Sequence, residues 1–337
     1  MPAELRLSLA CVVAFGIAFA ATPTAVRLAL ATDFLDRPGG HKAHARPTPY
    51  LGGAALLAGF GIPALAFGGG RLSFIVAVAA VLWAIGTRDD RVGVAAPLRA
   101  LAAVAAGAVL WALHLGWRVT GSDVANLALS AGWTGAIVIA FNLLDNIDGA
   151  AGTTAAVVAG AAAALAVLDR DVHLAAVALS LTGACLAFLR YNLASPARIF
   201  LGDGGSLPAG AVVAAITMAL PERELGGAQL AAAIPLVAVP VLDSTLVVVA
   251  RTRRHVPIYR GGCDHLTHRM LAHLGSPRRV ALALATVQAL ACLSAIVATR
   301  LGTQETVAVG VGYVALASTT IVILESRRIV GDPAGLG

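Results

Sequence analysis

Near-uninterrupted apolar runs recur along the whole chain, at lengths comparable to the thickness of a bilayer. They lie near 7–31, 51–70, 72–87, 100–117, 124–144, 149–168, 172–189, 206–220, 228–250, 280–299 and 306–324. Of the 337 residues, 58% are hydrophobic and 12% charged. A soluble domain carries about twice that share of charge, so a soluble helical protein with a large core is a poor reading. Lipid offers no partner to open backbone groups, so such runs must be helices. The runs are rich in Ala, Leu, Val and Gly, and small residues let helices approach closely where apolar burial no longer drives association. The expected fold is all-α: a polytopic membrane bundle of about eleven transmembrane helices. The third and eighth runs are short.

With eleven spans, alternate loops fall on alternate sides. Of the 24 Lys and Arg residues, eighteen then share one side, leaving six on the other. Basic loops mark the cytoplasmic side, so the N-terminus is expected outside and the C-terminus inside. The net charge of +6 thus belongs to a membrane face. No basic stripe carries interleaved aromatics, so nucleic-acid binding is not expected. The longest polar stretch is roughly 251–279 and is too short to fold alone. Residues 1–325 are therefore expected to form a single transmembrane domain, carrying whatever site the chain has, and 326–337 a short cytoplasmic tail. Ala18-Phe19-Ala20-Ala21 resembles a signal-peptide cleavage site, but the apolar run continues past it. A retained first helix is expected.

Polar residues inside such a chain are informative. Phe141-Asn-Leu-Leu-Asp-Asn-Ile-Asp-Gly149 puts Asn142, Asp145, Asn146 and Asp148 at the end of an apolar run. Carboxylates at that depth are expensive and usually functional. Further acidic positions are Asp89-Asp90, Asp203 within Leu201-Gly-Asp-Gly-Gly-Ser206, and Asp243. On the eleven-span topology they all fall at the cytoplasmic side. Hard carboxylate oxygens at this density suit Mg²⁺ completed by phosphates, and the surrounding cations suit an anionic, phosphate-bearing substrate.

Singly, each motif has an ordinary reading. Asp89-Asp90 suits a solvated helix end beside Arg88 and Arg91. On a helix Asp145 and Asp148 share a face; otherwise they cap one before the Gly149 turn. The glycine-rich stretch is either a flexible turn or a backbone that approaches a phosphate or metal. Asp243 suits a buried, hydrogen-bonded carboxylate as well as a site. His265 and His268 lack the further ligands zinc needs, and the four cysteines form no CxxC pair.

Taken in order, the motifs resemble the polyprenyl-phosphate N-acetylhexosamine-1-phosphate transferases, the WecA/TagO-like and MraY-related glycosyltransferase family 4. The resemblance covers roughly residues 30–280. It runs through Asp36-Arg-Pro, His41-Lys42, His44, Pro47-Thr-Pro-Tyr-Leu-Gly-Gly53 and Gly86-Thr-Arg-Asp-Asp90. It continues through Asn142–Gly149, Asn192, Pro196–Ser206, Pro240-Val-Leu-Asp243 and Asp264-His-Leu-Thr-His268.

The resemblance implies an enzyme that moves a sugar 1-phosphate, with GlcNAc-1-phosphate the first expectation, from a UDP-sugar to undecaprenyl or decaprenyl phosphate. UMP leaves, and the product opens cell-envelope polysaccharide synthesis. It implies a multi-pass protein of the bacterial plasma membrane, with the site on the cytoplasmic face, Mg²⁺ (or Mn²⁺) as cofactor, and a homodimer as an admissible assembly. Asp203 is implied as principal metal ligand, with Asp89 and Asp145 as further ligands. Asp89 and Asp90 are implied to contact metal and to deprotonate the lipid phosphate. Asn142, Asp145 and Asp148 match the nucleotide and metal region, and Phe200 an aromatic that stacks on uracil. Lys42 and Asn192 match nucleotide contacts; Arg253, Arg254, His265 and His268 match the diphosphate and sugar region.

Departures from the family pattern bear on sugar selectivity more than on chemistry. Thr267 takes the third place of His-x-His-His, and Asn146 replaces a usual Gly. Arg198 replaces Lys, and Gly204 stands where Thr is frequent. The nearest cation after Asp89-Asp90 is Arg99. The rival readings are a phospho-MurNAc-pentapeptide transferase-like enzyme, a degenerate scaffold and a transporter. Transporters gather their carboxylates near the bilayer midplane, often in repeated halves; here they gather at one side and no repeat is visible.

Overall fold

The structure is a computed structural model, and it describes residues 1–37, 46–220, 226–258 and 262–331. The described residues form thirteen α-helices, one 3-10 turn at Gly70–Leu72 and one two-residue antiparallel ladder, Leu35–Asp36 against Thr48–Pro49. The helices are α1 (Ala3–Ala31), α2 (Gly52–Phe67), α3 (Ser73–Val92), α4 (Ala96–Ala112) and α5 (Asp123–Leu144). Then come α6 (Ala150–Leu168), α7 (Val172–Asn192), α8 (Asp203–Met218) and α9 (Gly226–Leu236). Last are α10 (Ala238–Arg253), α11 (Leu266–Leu274), α12 (Pro277–Leu301) and α13 (Thr303–Gly331).

Every apolar run of the sequence is helical, as lipid demands. The all-α, multi-pass character holds, but the expected count of eleven spans is not reached on length. Among the described residues, seven helices are long and apolar enough to cross a membrane, or eight if the bent pair α9–α10 is one span. The shortfall is α2, α4 and α8, with 16, 17 and 16 residues. At 1.5 Å per residue they reach about 24–26 Å, short of a hydrocarbon core of ~30 Å.

Helix α8 is the axis of the bundle, with every residue from Gly204 to Met218 buried. It packs against α3, α5, α2 and α6. Helices α1, α6 and α2 pack on α7, and α4 packs on α5. The outer helices turn large apolar side chains outward, among them Leu28, Leu30, Leu290, Val311 and Leu316. On a chain this apolar, that rim is a lipid-facing surface.

The two ends of the bundle differ. At one end Arg6 hydrogen-bonds His173 and Arg300 pairs with Asp169 at 3.0 Å. At the other lie the C-terminal ends of α3, α5 and α7 and the N-terminal ends of α2, α4, α8 and α12. Contacts such as Arg278 Nε to the Leu193 carbonyl at 2.7 Å tie that end together.

The ninth apolar run is broken. Helices α9 and α10 meet at 80°, with Pro235 in the last turn before the break. A break frees backbone groups that lipid cannot satisfy. The fully buried amide of Gln288, on α12, fills the gap. Its Nε2 donates to the Pro235 and Leu236 carbonyls at 3.1 and 3.0 Å, and its Oε1 accepts from the Val239 amide at 3.0 Å.

Gln288→Leu removes that cap at nearly constant volume. Each orphaned buried group costs roughly 1–3 kcal/mol, so the variant in detergent is expected to unfold at a clearly lower temperature. Thr286→Val, on an exposed position of the same helix, is expected to match the parent in the same thermal scan.

Candidate active site

The site is built around the N-terminus of α8, which lies in backbone contact with two other helices. A Cβ on Gly53 of α2 would strike the Gly204 carbonyl, and one on Gly86 of α3 would strike the Asp203 carbonyl. Only glycine permits this approach. The buried helix start then needs acceptors for its free N–H groups. Asp90 supplies two, taking the Asp203 and Gly204 amides at 2.9 Å each. The Gly202 carbonyl takes the Gly205 and Ser206 amides at 2.9 and 2.8 Å, and Asp145 accepts from the Gly202 amide. The glycine-rich stretch is therefore a packed and fully engaged helix start, and the reading of it as a backbone cradle for phosphate falls.

Asp203, the first residue of α8, points into the acidic end. Its Oδ1 accepts from Asn142 Nδ2 at 2.6 Å, and Asn142 also reaches Ser206 Oγ at 3.2 Å. Its Oδ2 accepts from Arg99 Nη1 at 2.5 Å. The same Arg99 nitrogen lies 2.5 Å from Asp89 Oδ2, while Asp89 Oδ1 accepts from the Val94 amide. Arg99, in the first turn of α4, thus bridges the carboxylates of α3 and α8. Asp89 and Asp203 are brought together as expected, whereas Asp90 faces the backbone of α8.

Helix α5 ends at Leu144, so Asp145 and Asp148 sit in a turn and not on one helical face. Burial first, then the charges of Asp203, Asp90 and Asp148, holds the Asp145 carboxyl well above its ordinary range. Asp148 lines a separate cavity of about 250 Å³ with Leu193, Ser195, Pro196, Ser276 and Arg278. Phe200 is part-buried and meets Tyr50 edge-on, ring centroids 6.1 Å apart. Burial and the nearby charges of Asp90, Asp36, Asp145 and Asp203 raise the Tyr50 phenol. Asn192 is buried and engages both ends of its amide with backbone, accepting from Gly149 at 2.7 Å and donating to Ile199 at 3.0 Å. In this state it holds the Gly149 turn, which has φ +83°, against the 193–200 loop. Lys42 lies outside the described residues.

The histidine region forms its own layer. Asp243 is fully buried and caps α11: Oδ2 lies 2.8 Å from His265 Nδ1 and Oδ1 accepts from the Leu266 amide at 2.7 Å. His268 stands 5.8 Å from His265 between ring centroids. Burial, then the neighbouring His265, lowers its pKa, favouring the neutral ring. Thr267 Oγ1 donates to Asn146 Oδ1 at 2.5 Å. Arg254 pairs with Asp264 at 2.8 Å and lies 3.9 Å from Glu325, which Arg269 also holds at 2.6 Å. Arg253 is exposed in the last turn of α10.

Among the described residues, no three His, Cys, Asp or Glu side chains form a ready-made metal cage. The donor set nevertheless fits a hard divalent ion. The charge of Asp203 helps raise Asp145, and Mg²⁺ is commonly held by one or two carboxylates with phosphates and water. Three contributors escaped the sequence reading as site residues: Tyr50, Asp36 and Arg99. Tyr50 and Asp36 lay inside quoted motifs, and Arg99 was noticed only as a nearby cation.

Residues 72–221 match the family model for glycosyl transferase family 4. A decaprenyl-phosphate N-acetylglucosaminephosphotransferase of Mycobacterium tuberculosis is 30% identical over 165 residues, 46% of this chain and 41% of that protein. The chain thus spans less than half of that relative's length. A probable undecaprenyl-phosphate N-acetylglucosaminyl 1-phosphate transferase of Bacillus subtilis is 26% identical over 305 residues, 87% of this chain and 85% of that one. A phospho-N-acetylmuramoyl-pentapeptide-transferase of Cutibacterium acnes is 52% identical over 50 residues, 14% of each chain. Over these stretches the chain is similar to the WecA/MraY-related family.

The packing at α8 is testable without substrate. Gly86→Ala pushes α3 off the Asp203 carbonyl, an overpacking that costs typically 1–3 kcal/mol. Gly132→Ala on α5 meets no atom within 4 Å and is the control. Thermal scans in detergent are expected to show a lowered transition for the first variant and none for the second.

Proposed function

We propose that this protein is a member of glycosyl transferase family 4 and transfers a sugar 1-phosphate, foremost GlcNAc-1-phosphate, from a UDP-sugar to a polyprenyl phosphate. The observation that carries the reading is the Asp203 constellation at one end of an apolar bundle, with Asp89, Asp145, Arg99 and Asn142 around it. An oxygen of the lipid phosphate attacks the sugar-bearing phosphorus of the nucleotide, the bond to the UMP oxygen breaks, and a lipid pyrophosphoryl sugar remains. The lipid phosphate is confined to the membrane surface, so a site at the end of the bundle can meet it there.

Phosphoryl transfer needs positioning and charge neutralisation more than covalent help from the protein. Asp203 and Asp145 are the residues that would hold Mg²⁺, with Asp89 beside them. The ion would neutralise the diphosphate and the charge developing on the leaving UMP. Asn142 orients Asp203. Arg99 balances Asp89 and Asp203 and stands ready to be redistributed when the anionic substrate enters. Asp90 sets the frame by anchoring the start of α8. Phe200, beside Tyr50, offers a ring for uracil, and His265, His268 and Arg253 form the polar rim over which diphosphate and sugar would lie. The skew of basic residues supports a site on the cytoplasmic face of the bacterial plasma membrane, where nucleotide sugars are made.

The purified full-length protein is expected to release UMP from a UDP-N-acetylhexosamine only with polyprenyl phosphate and Mg²⁺ together. Removal of the metal with a chelator should abolish release, and readdition should restore it. Asp203→Asn should lower turnover at least a hundredfold, about 2.7 kcal/mol of barrier, while keeping the parent's thermal transition. Full turnover in that variant would overturn the site, and no UMP from any UDP-sugar tried would overturn the function.

A further inference from the structure

Two departures from the family pattern meet in space. Asn146 stands where Gly is usual and Thr267 where His is usual, 121 positions apart in sequence, yet Thr267 Oγ1 donates to Asn146 Oδ1 at 2.5 Å. A glycine at 146 would offer Thr267 no side-chain acceptor, so the contact depends on the asparagine. Thr267 is fully buried, which makes the bond difficult to replace with water. The other end of the Asn146 amide donates to the Leu143 carbonyl at 2.7 Å, fixing the side chain to the last turn of α5. The preceding residue is Asp145, whose carboxylate accepts from Gly202 at the start of α8.

One turn therefore reaches in two directions, with Asp145 toward the carboxylates and Asn146 toward the histidine helix. Helix α11 has other attachments, among them Arg269 to Glu325 and the Leu324 carbonyl of α13 and Arg279 to the Leu274 carbonyl. Asp243 caps its start, and Met270, Leu271 and Leu274 pack on Leu144, Ala150, Val239, Val280 and Leu284. The cap fixes one end, and apolar packing is non-directional. The Asn146–Thr267 bond supplies the directional link between α11 and the acidic end.

We propose that Asn146 and Thr267 act as one positioning unit, a strut that sets the separation between the His265–His268 helix and the Asp145–Asp203 pocket and thereby tunes which N-acetylhexosamine is accepted. The specificity part rests on the proposed transferase activity; the strut itself does not. A sugar diphosphate held at its phosphates by the acidic pocket would place its hexose at a distance fixed by that separation, so a small shift of α11 alters sugar preference more than metal binding.

The experiment compares full-length Thr267→Val, Thr267→Ser, Asn146→Ala and the Asn146→Ala/Thr267→Val double variant. Hydrogen exchange over residues 262–275 reports the strut without any substrate. UMP release with UDP-N-acetylglucosamine and with UDP-N-acetylgalactosamine reports preference. Thr267→Val is expected to lose exchange protection in α11 and to lower kcat/KM for the preferred sugar roughly tenfold, the size expected for one orphaned buried acceptor. The ratio between the two sugars should shift, Thr267→Ser should stay within about threefold of the parent, and the double variant should be no worse than the worse single one. Unchanged protection in Thr267→Val, or additive losses in the double variant, overturns the strut. Lost protection with an unchanged sugar ratio overturns its role in selectivity. A parent protein that turns over neither sugar counts against the transferase reading, and the exchange data still decide the strut.

Discussion

The start of α8 is buried in the middle of the bundle, and the rest of the acidic end is arranged around that constraint. A helix N-terminus presents unpaired N–H groups, and inside an apolar bundle they need acceptors. Asp90 and Asp145 provide three of the acceptor contacts, from α3 and from the turn after α5. Gly53 and Gly86 let α2 and α3 approach until backbone meets backbone. Four elements are thereby locked at one point, and Asp203 emerges from it in a fixed direction.

That frame divides the labour among chemically identical side chains. Asp90 has both oxygens on amides and serves architecture. Asp89 is held between the Val94 amide and Arg99. Asp203 is held by Asn142 and Arg99, yet remains at the open end, and Asp145 carries the electrostatic burden of its neighbours. Concentrated negative charge of this kind is unfavourable for the fold alone, because like charges at short range in a poorly solvated pocket oppose one another. In the proposed function its complement is a divalent cation with a phosphate.

A similar logic governs the broken helix between α9 and α10 and the loop layer above it. An 80° bend in an apolar setting is tolerated because Gln288 satisfies the freed groups from another helix. The bend sends α10 toward the acidic end, where Asp243 caps α11. The histidines therefore depend on a glutamine amide in the bundle, on a buried carboxylate, and on the Asn146–Thr267 bond to the turn beside Asp145.

Much of this was legible in the sequence. Apolar runs without partners for open backbone must be helical, so every run became a helix, and the in-order motifs pointed to the family that residues 72–221 match. Asp89, Asp145 and Asp203 were recognised as converging because alternation of spans puts their loops on one side. The break at Val237 was less visible: Pro235 and Pro240 marked it, but the apolar run continues through both. The sequence by itself determined an apolar all-α chain with acid gathered at one end, since hydropathy and charge are properties of residues in order. Only the tertiary structure decided that Asp90 is a cap, that Asn192 grips backbone, that Arg99 bridges two carboxylates and that Asn146 meets Thr267. Hydrogen bonds are directional and act over about 3 Å, so which atom each polar group faces is settled by packing between segments far apart in the chain.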